Sequence, residues 1–284
     1  MKFKTLCSVA VVAAITTGAL APMAANAETE AKSLTGKGEV TYEEDNGTNK
    51  PGDPEIPDGT DVDPGKNPDI TINPDGGPIT IDVVSNLIFP NQKIGVSPKP
   101  TTATANPVSL TLTDGTTVTR GNYVQWTDKR AGNDHKYQIK AAMTKQFTNG
   151  SNTLNNATIS YANGFLNSEM GEANWPKTRP ADFVLSQDGV SQVVLDNNTA
   201  ESTGARGLGT FYAEFGTSTA DAKNTLEEKS TGLAGKSVEL SVPAGQNIVK
   251  GKYVADITWS IEYTPAPAAP AAPAAPETPE TPAE

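Results

Sequence analysis

The chain has 284 residues, 22 of them Lys or Arg and 33 Asp or Glu, for a net charge of −11, with one His and one Cys. An acidic chain without a basic stripe is a poor partner for a phosphate backbone, so no nucleic-acid binding is expected. A single Cys and a single His give neither an internal disulfide nor a Cys- or His-rich metal site, so no metal and no other cofactor is expected.

The first 27 residues read as a signal peptide. Lys2 and Lys4 form a basic start, Leu6 to Met23 is dominated by apolar and small residues, and Ala25-Asn26-Ala27 is a small-x-small cleavage site. A membrane anchor would need about 20 consecutive apolar residues, and Ser8, Thr16, Thr17 and Gly18 interrupt this run. The mature chain then starts at Glu28, and with no second apolar span the product is exported without a transmembrane segment. Cys7 lies inside the signal, so the mature chain has no cysteine. That suits a Gram-positive surface better than a disulfide-stapled ectodomain.

Charge is segregated along the mature chain. Residues 28–77 hold 4 basic and 13 acidic residues, residues 78–264 hold 16 and 17, and residues 265–284 hold 0 and 3. Residues 28–77 contain Pro51, Pro54, Pro57, Pro64, Pro68 and Pro74 among Asp, Gly and Asn, which predicts an extended, mostly disordered acidic linker. A short strand is expected within it around Glu39 to Tyr42. Asp58, Asp61, Asp63 and Asp69 lack the order of a calcium loop and read as solvated acid.

From Pro78 to Thr264 short alternating runs follow one another. Ile79, Ile81 and Val83 alternate with polar residues, as do Val108, Leu110 and Leu112, and Asp114-Gly115 marks a hairpin turn before Val118. Further strands are expected at Tyr123 to Thr127, Lys136 to Thr144, Thr158 to Tyr161, Asp182 to Ser186, Gln192 to Leu195, Thr210 to Phe215 and Val238 to Val242. Only Ala220 to Lys229 reads as a helix, after Ser218 as an N-cap. The last strand, Tyr253 to Thr264, is the most periodic. Tyr253, Ala255, Ile257, Trp259, Ile261 and Tyr263 share one face, and Pro265 ends it. The expected fold is all-β, a single β-sandwich or barrel-like domain over 78–264. Residues 265–284 form a Pro/Ala-rich tail expected to sample polyproline II, and no sortase-type sorting sequence is present, so covalent wall anchoring is not expected.

No enzyme signature stands out. His135 sits among Asn133, Asp134 and Lys136 and reads as an exposed loop residue rather than a catalytic one, and no phosphate-cradling Gly loop or G-x-S-x-G elbow appears. No catalytic residue is assigned.

Tyr253-xxx-Ile257-Thr258-Trp259-x-Ile261-xxx-Pro265 resembles the C-terminal signature of the WxL-domain surface proteins of Gram-positive bacteria, with Ile261 where the family prefers Leu. Residues 77–89 are similar to the family's opening Gly-x-Leu-x-Ile-Asp strand, with Asp82 and Phe89 retained. Val124-Gln-Trp126-Thr-Asp128-Lys-Arg130-Ala-Gly132 is similar to the stretch before the first W-x-L motif, and that motif is here Tyr137-Gln138-Ile139. Segments from Leu154 to Ile159, Gly207 to Phe211 and Val238 to Pro243 fit later family segments.

The resemblance implies a secreted, cell-surface protein held noncovalently on the cell wall, with the domain binding peptidoglycan. It also leaves room for other surface or membrane-anchored protein partners. The alternative is an adhesin that binds host matrix or a neighbouring surface protein, with indirect wall attachment. The motif positions are Tyr253, Ile257, Thr258, Trp259, Ile261, Pro265, Tyr137 and Ile139. Their alternation makes core residues of Trp259 and Tyr137 before glycan contacts. Trp126, next to Tyr123 and Val124, is left open between core and surface. Trp175, before Pro176 in a Gly/Asn/Pro-rich loop, is the first candidate for an exposed aromatic.

Overall fold

A computed structural model describes residues 34–95, 98–218 and 231–263. The chain falls into two units, 1–42 and 43–284. In the first, residues 34–42 are exposed and form no strand. The strand expected at Glu39 to Tyr42 is therefore absent, since Val40 and Tyr42, 71% and 88% exposed, have no apolar surface to cover. The signal peptide, the helix expected at 220–229 and the tail lie outside the described residues.

Every described strand belongs to the second unit. In chain order they are β1 (Ile70–Ile72), β2 (Ile79–Ser85), β3 (Thr101–Thr104), β4 (Val108–Thr111), β5 (Thr117–Arg120), β6 (Asn122–Asp128), β7 (Tyr137–Asn149), β8 (Asn152–Thr153), β9 (Thr158–Tyr161), β10 (Gly164–Ser168), β11 (Phe183–Leu185), β12 (Gln192–Asp196), β13 (Gly209–Phe215), β14 (Val238–Val242) and β15 (Val254–Tyr263). A single 3-10 turn, Glu172–Asn174, interrupts them. The fold is all-β. β4 and β5 form the hairpin marked by Asp114-Gly115, where Gly115 takes φ +87°, a conformation open to glycine without a steric penalty.

The architecture is a sandwich of antiparallel sheets. One layer is the five-stranded sheet β1-β2-β6-β13-β10, and the others are β11-β9-β14-β3 and β12-β7-β15, with β8 on β7. Val124 and Trp126 of β6 and Phe211, Ala213 and Phe215 of β13 meet Ile139 and Met143 of β7, Ile159 and Tyr161 of β9 and Leu240 of β14 in one core. These are the strands whose residues alternate in the sequence, and alternation places every second side chain inward.

The five-stranded sheet is covered on its other face too. All seven residues of β6 are buried, which is why Tyr123 beside Val124 obscures its period. Val124 and Trp126 enter the main core, whereas Tyr123 joins Tyr212, Val62, Ile70, Val83, Val108, Leu110 and Leu112 in a second cluster. A central strand buried on both sides loses the hydrophobic-in, polar-out signature.

Part of the cover comes from residues 50–72, expected to be disordered linker. This expectation is corrected: Asp53, Glu55 and Val62 are 3%, 0% and 1% exposed, and β1 pairs with β2. The prolines misled because the segment brings few apolar residues of its own, chiefly Val62 and Ile70, and is held as well by polar groups of the strands it crosses. Gln125 accepts the Gly52 N–H (2.9 Å) and donates to Lys50 O (2.8 Å), and Asn167 donates to Pro54 O (2.9 Å). Asp53 grips the Arg120 guanidinium with two bonds of 2.6 Å, and Glu55 lies 3.5 Å from the same group. At Gly52 an added Cβ would lie 2.0 Å from the Tyr212 hydroxyl, so any larger residue would have to displace that buried ring. The strap thus replaces water on polar side chains that strand periodicity alone would assign to solvent. Beside it Glu214 accepts the Gly121 N–H at 2.6 Å, and burial, reinforced by the negative Glu55, pushes its carboxyl well above the usual range.

Candidate functional site

The motif residues gather on two neighbouring strands. β15 pairs with β7 and places Ile261 opposite Ile139, Trp259 opposite Ala141, Ile257 opposite Met143 and Tyr263 opposite Tyr137. The Tyr137-x-Ile139 and Trp259-x-Ile261 segments, more than a hundred residues apart in the chain, therefore lie side by side. Small Ala141 gives the Trp259 indole room across the ladder.

Along β15 exposure alternates residue by residue. Tyr253, Ala255, Ile257, Trp259 and Ile261 are half-buried and pack on the main core, and Val254, Asp256, Thr258, Ser260 and Glu262 are exposed. Trp259 meets Tyr161 (5.9 Å, 88°), Phe183 (6.1 Å, 88°) and Phe215 (6.4 Å, 38°), while Tyr161 and Phe183 stack at 4.5 Å. Edge-to-face contacts of this kind add about 0.5–1.5 kcal/mol per pair beyond the area buried. The indole is thus committed to packing.

Tyr137 is buried and polar at its tip. Its hydroxyl accepts the Trp126 Nε1–H at 2.9 Å and donates to Gly207 O at 3.2 Å. Burial drives this phenol far above its ordinary pKa, so it holds its proton and bonds as a hydroxyl. An indole at position 137 is a donor only and could not accept from Trp126. Trp126 itself is 0% exposed and stacks on Phe211 at 5.8 Å, so it offers no outer face.

Trp175 requires a correction. It is 8% exposed rather than open, its Nε1 donates to Met170 O at 2.7 Å, its carbonyl accepts from Arg206, and Arg179 lies 5.9 Å over its ring. The Gly/Asn/Pro-rich flanks do form a loop, but that loop folds back on its own tryptophan. His135 is corrected likewise. It is 1% exposed, with Nδ1 3.2 Å from Asp128 Oδ2. Burial tends to raise the Asp128 carboxyl, but His135 and the Arg130 fork, at 2.7 and 3.0 Å, outweigh it and hold the pKa below the usual value. Arg130 then lies 4.8 Å over the Tyr263 ring, tying the end of β6 to the end of β15. Asp128 and Arg130 share one family-like stretch of sequence, but no sequence signal joins His135 to them, with residues 129–134 lying between the carboxylate and the imidazole.

The outer side of the same strands is polar. Thr144 and Thr258 share a hydrogen bond of 2.9 Å across β7 and β15, Lys140 pairs with Glu262, and Asp256 lies opposite Lys145. Among the described residues no group of three or more His, Cys, Asp or Glu is placed to hold a metal ion.

The family model for the WxL domain, a surface cell-wall-binding domain, matches residues 29–265. The chain belongs to the WxL family. No curated protein and no solved structure matches it. The WxL domain binds the cell wall, and its family is one of surface binding domains rather than of enzymes. No helix among the described residues is long and apolar enough to cross a membrane. The WxL residues carried here have assigned places. Asp82 of the opening strand accepts from Thr127 and Thr80 (both 2.5 Å) and Asn49 (2.9 Å), Asp128 and Arg130 form the fork described above, and Trp259 packs inward. Pro265 lies outside the described residues.

Proposed function

We propose that the protein is a secreted, non-catalytic surface protein whose WxL domain holds it noncovalently on peptidoglycan. The observation that carries this reading is the WxL match over residues 29–265. In this proposal residues 1–27 are removed on export, the binding domain includes the strap from about residue 50, and the Pro/Ala tail is a spacer.

Contact is assigned to the outward face of the β12-β7-β15 sheet. The aromatic side chains of the motif are engaged inside, so stacking on sugar rings has little to work with there. Thr144, Thr258, Ser260, Lys140 and Glu262 instead present hydroxyls and charges to solvent, suited to the hydroxyl and amide groups of a glycan. The mature chain should co-sediment with peptidoglycan stripped of attached anionic polymers, and should do so across a salt series. Replacing Thr144 and Thr258 together by Ala should weaken binding about thirtyfold, at roughly 1 kcal/mol per hydroxyl, with the thermal midpoint little changed. Failure of the parent chain to sediment would overturn attachment to peptidoglycan. Equal sedimentation of the variant would overturn the assigned face.

A further inference from the structure

The tryptophan loop and the turn before β13 together line an open cleft of about 360 Å³. Its walls are Glu172, Trp175, Pro176, Lys177, Arg179 and Arg206. Lys177 and Arg179 are exposed and Arg206 is half-buried. Two arginines and a lysine thus line one opening with a single acidic residue, on a chain whose net charge is −11. The local sign runs against the whole.

Apolar recognition does not explain the cleft. The Trp175 indole has its N–H bonded to Met170 O and one face beneath Arg179, while the Trp175 main-chain carbonyl accepts from Arg206, so this residue positions two arginines rather than offering a platform for a sugar. What the cleft offers a ligand is positive charge, in the forked form that matches phosphate oxygens.

We infer that this cleft is a subsite for an anionic wall polymer with phosphodiester repeats, separate from the β12-β7-β15 face. An open cleft admits a length of chain rather than enclosing a small molecule. A polymer with a charge in every repeat engages several cations at once, and each new engagement is intramolecular and strengthens the rest. Glu172 lowers the affinity, which keeps the contact reversible along the polymer. The inference rests on the wall-attachment reading for its setting but uses none of the residues assigned to peptidoglycan.

The full mature chain should be titrated with polyglycerol phosphate and, separately, with polyglutamate. The parent is expected to bind the phosphate polymer at least tenfold more tightly than the carboxylate one, and to weaken as salt rises. Lys177→Gln with Arg179→Gln should reduce phosphate-polymer affinity on the order of tenfold and flatten the slope of log affinity against log salt by about 1 to 2. Arg179→Lys, which keeps the charge, should recover most of the binding, and Glu172→Gln should tighten it. Lys250→Gln with Lys252→Gln removes the same charge elsewhere and should do far less. Equal effects of the two double variants would reduce the subsite to diffuse charge and overturn the inference, as would equal binding of polyglutamate or no binding of the phosphate polymer. Sedimentation with stripped peptidoglycan should be the same for parent and Lys177/Arg179 variant, so loss of the subsite and loss of wall attachment are read separately.

Discussion

Replacing Asp53 by Ala tests whether the strap is structural. Arg120 is 1% exposed and Asp53 3%, and two bonds of 2.6 Å join them. Without the carboxylate the guanidinium keeps its charge and cannot reach water. Removing one partner of such a pair costs about 3–5 kcal/mol, whereas exchanging the whole pair for apolar groups is often neutral. Glu55, 3.5 Å from the same guanidinium, compensates in part, which places the cost near the lower bound, about 3 kcal/mol. In a unit of this size each kcal/mol lowers the midpoint by about 2–4 °C, so the thermal midpoint should fall by about 6–12 °C. Urea unfolding followed by tryptophan fluorescence gives the free energy, and limited proteolysis reports cleavage between residues 50 and 72. The double variant with Arg120→Met should recover at least half of the loss. A cost below about 1 kcal/mol with unchanged protease resistance would show that the strap lies on the sheet without holding it, and would refute the reasoning.

Trp259→Ala should cost about 3–5 kcal/mol in chemical denaturation by emptying the centre of the aromatic group, and Trp259→Phe clearly less. Tyr137→Phe leaves the buried Trp126 N–H without its acceptor and should cost about 1–3 kcal/mol in the same assay. Glu214 has a folded pKa raised above its unfolded value, so its contribution to stability falls as pH rises from the unfolded value towards the folded one. Glu214→Gln should therefore be more stable than the parent at neutral pH, with the gap closing towards pH 4 in urea titrations. Asp128 has the opposite sign: its folded pKa is lowered, so its stabilisation is complete above the unfolded carboxylate pKa and is lost as pH falls through the folded one. Asp128→Asn should flatten that acid limb of the stability profile.

Strand periodicity was legible where one face of a strand meets solvent. β15 and the first residues of β7, Tyr137 to Ala141, alternate in sequence and in exposure because each has an outer side. β6 was not legible, because the strap buries its second face, and that left Trp126 undecided between core and surface. The strap escaped notice for a related reason. Beside Val62 and Ile70, much of its hold resides in Arg120, Gln125 and Asn167, polar residues that strand logic assigns to water. Trp175 and His135 were misjudged because loop composition reports backbone freedom and not what a loop folds onto. Nor does any one segment disclose that residues 137–139 and 259–261 are neighbours; that follows from pairing register, which depends on the whole topology.

β15 pairs with β7 alone among the described strands. Ile139 therefore waits for Ile261, a partner 122 positions later in the chain. The entropy of closing so long a loop must be met before the contact returns anything, which makes docking of this strand a late and slow event. Until then one edge of β7 stays unpaired. A product interrupted before residue 254 would keep all three tryptophan-bearing segments but one, and still lack the strand that seals the sandwich. Arrival of β15 is what completes the β12-β7-β15 sheet.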